Sequence, residues 1–263
     1  MTAYIIRRLL ATIPVMVVVA IFVFLLLHLT PGDPAAVIAG DDATPEAVDG
    51  IRTKLGLDQP IHVQFGIYAA NLLRGDLGTS IFSNLPVLTL VKQRLEPTLV
   101  LAASTLVMAV LLAIPMGVLA AWKARTFIDR LVMGFSVLGF AVPGFLVGYL
   151  LIYVFAIELK WLPVQGYRPL SQGIDQTARS IILPALALSM AYMALIARMT
   201  RASMLDVLSQ DYIRTAKAKG VATLTVLLRH ALKNAAVPIV TVIGIGLTLL
   251  ISGVVITETV FNI

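Results

Sequence analysis

Charge, cysteine and nucleotide-binding loops are what this sequence is short of. Charged residues make up 13% of its 263 positions and hydrophobic ones 59%. Soluble domains carry about a quarter charged residues, so an ordinary globular domain is excluded. The absence of cysteine rules out a disulfide framework and any thiolate metal site, and says little about compartment. No G-x-x-x-x-G-K-S/T run occurs, and glycine is never followed by lysine. Hydrolysis of ATP needs such a loop to cradle the phosphates, so that chemistry would have to sit on another chain. H-E-x-x-H and G-x-S-x-G are missing too, which weakens metalloprotease and hydrolase readings. The three histidines, His28, His62 and His230, are too scattered for a zinc site. His28 reads as an interfacial residue at the end of an apolar stretch, and His230 as a packing residue.

What is abundant is apolar sequence, with a mean hydropathy of +0.95. Residues 9–29 form a run of 21, enough to cross a bilayer core, which takes about 20. The apolar part of a cleaved signal peptide is shorter, about 7–15 residues, so this run reads as a retained span. Further spans are predicted at 98–121, 131 to about 159, 180–199 and 237 to about 257. The second contains Pro115 and Gly117, the fourth Pro184, and the fifth Gly244, Gly246 and Gly253. The third is long enough to tilt and is broken at Pro143-Gly144. Packing is the ordinary reason for proline and glycine in spans. Such breaks can also line or move a pathway, which makes Pro143 and Gly144 candidate hinge residues. The expected fold class is all-α, a polytopic membrane helix bundle. Its span interiors hold essentially no ionisable residue, whereas ion-driven carriers usually place some there. The driving force is therefore expected from outside the bilayer.

Residues 30–97 read as a polar loop with short helices. Asp41-Asp42-Ala43-Thr44-Pro45-Glu46 signals a helix start, with Thr44 as N-cap and Pro45 at the first helical position. Leu55-Gly56-Leu57 closes that helix, and Asp58-Gln59-Pro60 opens another that ends near Arg74-Gly75. With the N-terminus placed inside, inside segments carry 12 of the 20 basic residues and 3 of the 14 acids. That asymmetry puts the large first loop outside and residues 211–234 inside.

Residues 211–238 are the polar, basic, helix-favouring exception among the spans. Asp211 is a good N-cap, after a second candidate in Ser209. Arg214, Lys217 and Lys219 follow, with Ala216 and Ala218 between them, and Gly220 sits where a left-handed residue would end the helix. Ala216 and Gly220 lie four apart, giving one face little bulk. A second helix, capped by Thr223, runs toward Pro238. Two readings fit: a helix that docks into a protein groove, or a basic loop held at the headgroups.

The run Asp211-Tyr212-Ile213-Arg214-Thr215-Ala216-Lys217-Ala218-Lys219-Gly220, with His230-Ala231-Leu232-Lys233-Asn234-Ala235 and Pro238, resembles the cytoplasmic signature loop of ABC importer permeases. The likeness is to the dipeptide, oligopeptide and nickel permease family, with its type I importer fold. Pro31-Gly32-Asp33-Pro34, Leu55-Gly56-Leu57-Asp58-Gln59-Pro60 and Gly75-Asp76-Leu77-Gly78-Thr79-Ser80 resemble that family's first external region. Of the older Glu-Ala-Ala, three residues, Gly signature only Ala216 and Gly220 match, with Arg214 and Thr215 in the first two places. That departure is typical of the peptide branch.

The resemblance implies a permease subunit of an ATP-driven importer, moving di- or oligopeptides, or a related solute such as glutathione or a nickel chelate, by alternating access. Asp211, Tyr212, Arg214, Ala216, Lys217 and Gly220 would form the coupling helix that docks on an ATPase. Implied partners are a second homologous permease, two ABC ATPases, an extracytoplasmic substrate-binding protein and membrane lipid, with no nucleic acid. ATP and magnesium would belong to the ATPases, leaving no cofactor, metal or catalytic residue on this chain. The location would be the cytoplasmic, or inner, membrane of a prokaryote. Residues 1–29 would be an N-terminal span, 30–96 an external loop and 97–263 the type I core. A sixth span is expected after the Glu258-Thr259-Val260-Phe261-Asn262 motif, and is missing here. Rival readings are a stand-alone secondary carrier or channel, and a membrane scaffold for a cytoplasmic partner.

Overall fold

Apolar length dictates the architecture. In the computed structural model, which describes residues 2–29, 32–40, 43–80, 83, 85–253 and 255–263, the named elements are all helical. Among the described residues four helices are long and apolar enough to cross a membrane. They are α1 (Thr2–Leu29), α5 (Val87–Trp122), α8 (Ile174–Leu208) and the continuous helix that begins at Thr223. A bent pair, Phe127–Ala141 and Gly144–Glu158, makes a fifth if it crosses as one. The chain is thus a polytopic helical membrane bundle. It divides into two compact units, Met1–Gln93 and Arg94–Ile263.

In the first unit three short helices follow α1. Asp33 caps α2 (Pro34–Ala39), accepting the Ala35 N–H at 3.0 Å, with Pro34 at the first position. That bond, and then Arg52, hold the Asp33 carboxyl below the usual aspartate range. Thr44 caps α3 (Pro45–Lys54), accepting from the Ala47 N–H. The helix ends with Gly56 at φ +68°, where the Leu57 N–H reaches Arg52 O and the Gly56 N–H reaches Thr53 O. This pair of bonds is the Schellman cap, and the left-handed residue it requires favours glycine. Gly75 closes α4 (Ile61–Leu73) the same way, with the Asp76 N–H on Asn71 O. Phe24 and His28 of α1 stack on one another at 4.4 Å, and Phe24 meets Phe65 and Tyr68 of α4. The His28 ring also bonds Phe24 O and Gln64 Oε1, each at 3.0 Å. Helix α2 was not foreseen: Asp33-Pro34 is a helix start as well as a turn. Asp41 and Asp42 of the expected helix start, Thr30 and Pro31, and the surroundings of Gly253 lie outside the described residues.

The second unit is built around α8. In its most apolar stretch 61% of the residues are buried, against 28% for α5 and 22% for the helix from Thr223. Helices α6 (Phe127–Ala141), α7 (Gly144–Leu151) and α11 (Lys233–Gly253) all pack on it. Three neighbours reach α8 through a glycine. A β-carbon on Gly117 of α5 would fall 2.5 Å from Thr200 Cβ and 2.6 Å from Ala197 O. One on Gly139 of α6 would fall 3.0 Å from Met190 O, and one on Gly246 of α11 would fall 3.2 Å from the Tyr192 ring. Small residues let membrane helices approach until dispersion contacts are made backbone to backbone. Gly117 and Gly246 are therefore packing glycines, while Gly244 faces open space.

Several expected boundaries shift. Helix α5 starts at Val87, so residues 87–96 are helix rather than loop. Their Leu, Lys, Gln, Arg and Glu are good helix formers, and Pro97 and Pro115 are carried inside the helix. Helix α8 extends well past 180–199 at both ends, with Pro184 buried in its interior. The expected fifth span stops as α11 at Gly253, and α12 (Val255–Phe261) follows, packing on α7 and α8. Its Phe261 ring lies where a β-carbon on Gly148 would meet it at 3.1 Å.

Candidate functional site

Helix α9 (Asp211–Ala218) leaves α8 after only Ser209 and Gln210. Eight residues are too few to hold a helix in isolation, so tertiary contacts decide its existence. Ile213 supplies them: it is wholly buried, in one cluster with Met204, Leu227 and Ala231. The far end is fixed by Gly220, at φ +76°. The Val221 N–H reaches Ala216 O at 3.2 Å and the Gly220 N–H reaches Lys217 O at 3.0 Å, the same Schellman cap as on α3 and α4. A side tie comes from Asn234 Nδ2, which donates to the Tyr212 hydroxyl at 3.1 Å and to His230 O at 2.7 Å.

Four expectations need correction. Asp211 is the first helical residue, not the N-cap; Gln210 holds the extended cap position without a side-chain capping bond. The Asp211 carboxylate pairs with Arg214 at 3.3 Å, and it still lies in the first turn, where the helix dipole favours an acid. Ser209 ends α8 and bonds Asp206 O instead. The Ala216–Gly220 face is not a free small-residue groove. Ala216 is half-buried and packs on the chain's own core with Ile213, and Gly220 lies beyond the last helical residue. Thr223 is not a cap but the first residue of α10 (Thr223–Thr225), which follows Ala222. A π-helical stretch, Val226–Leu232, then joins α10 to α11, so one helix runs unbroken through Pro238. The face that α9 offers outward carries Asp211, Tyr212, Arg214, Thr215, Lys217 and Lys219, all exposed.

Pro143 and Gly144 do more than tilt a span. Helix α6 ends at Ala141, Val142 and Pro143 are extended, and α7 leaves at 103° to α6. A residue before proline is pushed out of the helical region, which accounts for Val142. The π-helical turns Ile152–Glu158 then continue α7.

Two polar clusters escaped the reading of the sequence. Asp129, at the start of α6, is 6% exposed in its side chain and takes Arg201 Nε at 2.5 Å and Nη2 at 2.8 Å. It also accepts the Arg125 N–H at 2.8 Å, so the turn after α5 is bound to α8 at Arg201, about two turns before the end of that helix. Buried aspartate and exposed aspartate look alike in a sequence, and 72 residues separate the partners. The second cluster joins the loop after α7 to α5 and α12. Glu96 accepts the Tyr167 hydroxyl at 2.9 Å and the Leu170 N–H at 2.8 Å. Thr98 donates to Glu258 at 2.6 Å, Arg94 to Ile263 O, and the Gly166 N–H to Phe261 O at 2.9 Å. Burial, then the bond to Glu96, pushes the Tyr167 phenol up to about 12. Among the described residues no group of three acidic or histidine side chains could hold a metal ion.

Residues 113–263 match the family described as the binding-protein-dependent transport system inner membrane component, and residues 1–102 match its N-terminal domain. The chain belongs to that family. Like its relatives, this permease is a membrane transport component of a binding-protein-dependent system. Over its full length it is 54% identical to a probable peptide ABC transporter permease, protein y4tP of Sinorhizobium fredii, covering 84% of that protein. It is 44% identical to the glutathione transport system permease protein GsiC of Escherichia coli K12, covering 83%. The Salmonella typhimurium GsiC is 43% identical with the same coverage.

Proposed function

We propose that this permease carries peptides, or a related small solute such as glutathione, inward across the cytoplasmic membrane, driven by ATP hydrolysed on separate subunits. Its N-terminus lies inside, which the excess of basic residues in the inside segments supports. Helix α9 is the docking element for an ABC ATPase, presenting Asp211, Tyr212, Arg214 and Lys217. Ala216 and Gly220 act indirectly: Ala216 seats the helix on the core and Gly220 closes it. A second permease completes the pathway, and a binding protein delivers solute from outside. Pro143 and Gly144 form the bend at which one wall of that pathway turns.

The observation that carries this reading is the construction of α9. A strongly polar outer face is held rigidly, by a buried isoleucine and a glycine cap, at the end of the most buried helix of the bundle. A headgroup-bound loop has no need of such support. The test uses the complete transporter in proteoliposomes. Gly220→Trp, and separately Arg214→Glu, are expected to lower solute-stimulated ATP hydrolysis and uptake at least tenfold, about 1.4 kcal/mol of lost coupling, with membrane insertion unchanged. Wild-type coupling in both variants would overturn the docking assignment.

A further inference from the structure

We infer that the surface between α5, α9 and the π-helical stretch is a binding site for an acidic phospholipid. Two adjoining cavities lie there. The larger, about 460 Å³, runs between α5 and the helix from Thr223, past Ile114, Val118, Trp122, Leu224 and Leu228. Apart from Thr223 its walls are entirely apolar. The smaller, about 320 Å³, lies on the other side of Trp122 and Leu227, which line both. Lys217 lines this second cavity, with Leu205 and Leu208. Lys123 adds a second cation, its Nζ 4.3 Å from the centre of the Trp122 ring. No carboxylate lines either cavity.

The combination has a chemical reading. An apolar groove along a membrane helix takes an acyl chain. Lys217 in the adjoining cavity and Lys123 against the Trp122 ring select a negative headgroup over a zwitterionic one. Free phosphate would gain nothing from the groove, and a protein segment would need partners for its backbone along walls that offer one hydroxyl. Leu224 of α10 and Leu227, Leu228 and Leu232 of the π-helical stretch all line it. Lys217 is also one of the residues of the proposed docking face, so a lipid held here and a docked ATPase would share that side chain.

The permease has two tryptophans, and Trp161→Phe leaves Trp122 as the sole reporter. The full chain is reconstituted in phosphatidylcholine vesicles containing either brominated phosphatidylglycerol or brominated phosphatidylcholine. Brominated phosphatidylglycerol is expected to quench Trp122 at the lower mole fraction, by about fivefold for each lysine engaged, roughly 25-fold in all. Lys123→Gln and Lys217→Gln together should abolish the difference while quenching by brominated phosphatidylcholine persists. Equal quenching by the two lipids, a preference that survives both substitutions, or no quenching by either because protein fills the groove, would each overturn the site. No ATPase is present in this measurement, so its failure is separate from failure of the docking assignment.

Discussion

Gly117→Ala adds one methyl group where, among the described glycines, a β-carbon would meet the closest neighbours. The new β-carbon would lie 2.5 Å from Thr200 Cβ, 2.9 Å from its Cγ2 and 2.6 Å from Ala197 O. Carbon–carbon contacts settle at about 3.5–4.0 Å, so relief takes a displacement of about 1 Å. Neither obstacle yields by a side-chain rotation: a β-carbon moves only with its backbone, and the carbonyl belongs to α8. The two helices therefore separate, and contacts along α5 and α8 are lost together. Overpacking of this kind costs about 1–3 kcal/mol, set against about 0.5–1 kcal/mol gained from alanine over glycine in a helix. The balance is a net loss of up to about 2.5 kcal/mol, a drop of up to roughly 10 °C in Tm for a chain of this size class.

Gly134→Ala is the matched control. Gly134 also lies inside a helix, α6, but a β-carbon there meets nothing within 4 Å. Only the helix-propensity gain should remain, so its Tm should stay level or rise. Both variants are purified in detergent and unfolded thermally, with intrinsic fluorescence as the readout. A Gly117→Ala protein as stable as Gly134→Ala would refute the reasoning, because it would mean that α5 and α8 are not in contact at this glycine. Helix α8 continues into α9 within two residues, so the displacement should also lower uptake by the reconstituted transporter beyond what the stability loss explains.

Removing one partner of the Asp129–Arg201 pair leaves the other charge in a protein environment without compensation. Asp129→Ala should cost about 3 kcal/mol, at the low end for buried pairs because Arg201 is 25% exposed. The double variant Asp129→Ala, Arg201→Met should recover much of that by denaturant unfolding; no recovery would count against a buried pair. Tyr167 has its phenol pKa raised to about 12 from 10.0, so its neutral form is the one the fold favours. Its contribution is intact below pH 10 and lost as pH climbs from 10 toward 12. Tyrosinate absorbance should show a late-ionising component that Tyr167→Phe diminishes; an unchanged titration in that variant would contradict the assignment.

Legibility in the sequence follows the range of the physics. Signals confined to a few residues were readable: Thr44-Pro45, Gly56, Gly75 and Gly220 fall at helix ends because cap chemistry is local. Apolar runs gave the spans but not their ends. Helix α5 begins eleven residues before the expected span, since Lys92, Arg94 and Glu96 are good helix formers that a hydropathy reading takes for a loop. A second helix read as capped by Thr223 and running toward Pro238 continues through that proline as part of one span. The 103° turn at Pro143 was visible as a break but not as an angle, which is set by how α7 packs on α8 and α12. Long-range pairs stayed hidden altogether. Nothing in the sequence distinguishes Asp129 from its exposed counterparts, or ties Glu96 to Tyr167 across 71 residues.

The structure puts Asp211–Ala218 on one short helix closed by Gly220, as the sequence suggests, but not with Asp211 as cap or a free Ala216–Gly220 face, and the difference bears on how α9 would work. As a small-faced helix it would bind a partner through Ala216 and Gly220, and would be free to follow that partner. With Ile213 buried, Ala216 seated and Tyr212 bonded to Asn234, it is clamped to its own chain instead. Its two ends lead into α8 and into α10, the first turn of the Thr223 helix, the two segments that meet again where α8 packs on α11. Force applied to the outer face therefore cannot stay in α9. It enters the bundle through its most buried helix, at a point braced to the α5–α6 turn by Asp129 and Arg201, and along a contact with α5 that leaves no room for a methyl group. A clamped helix transmits displacement where a flexible one would dissipate it, and close packing against α8 is what makes the clamp stiff.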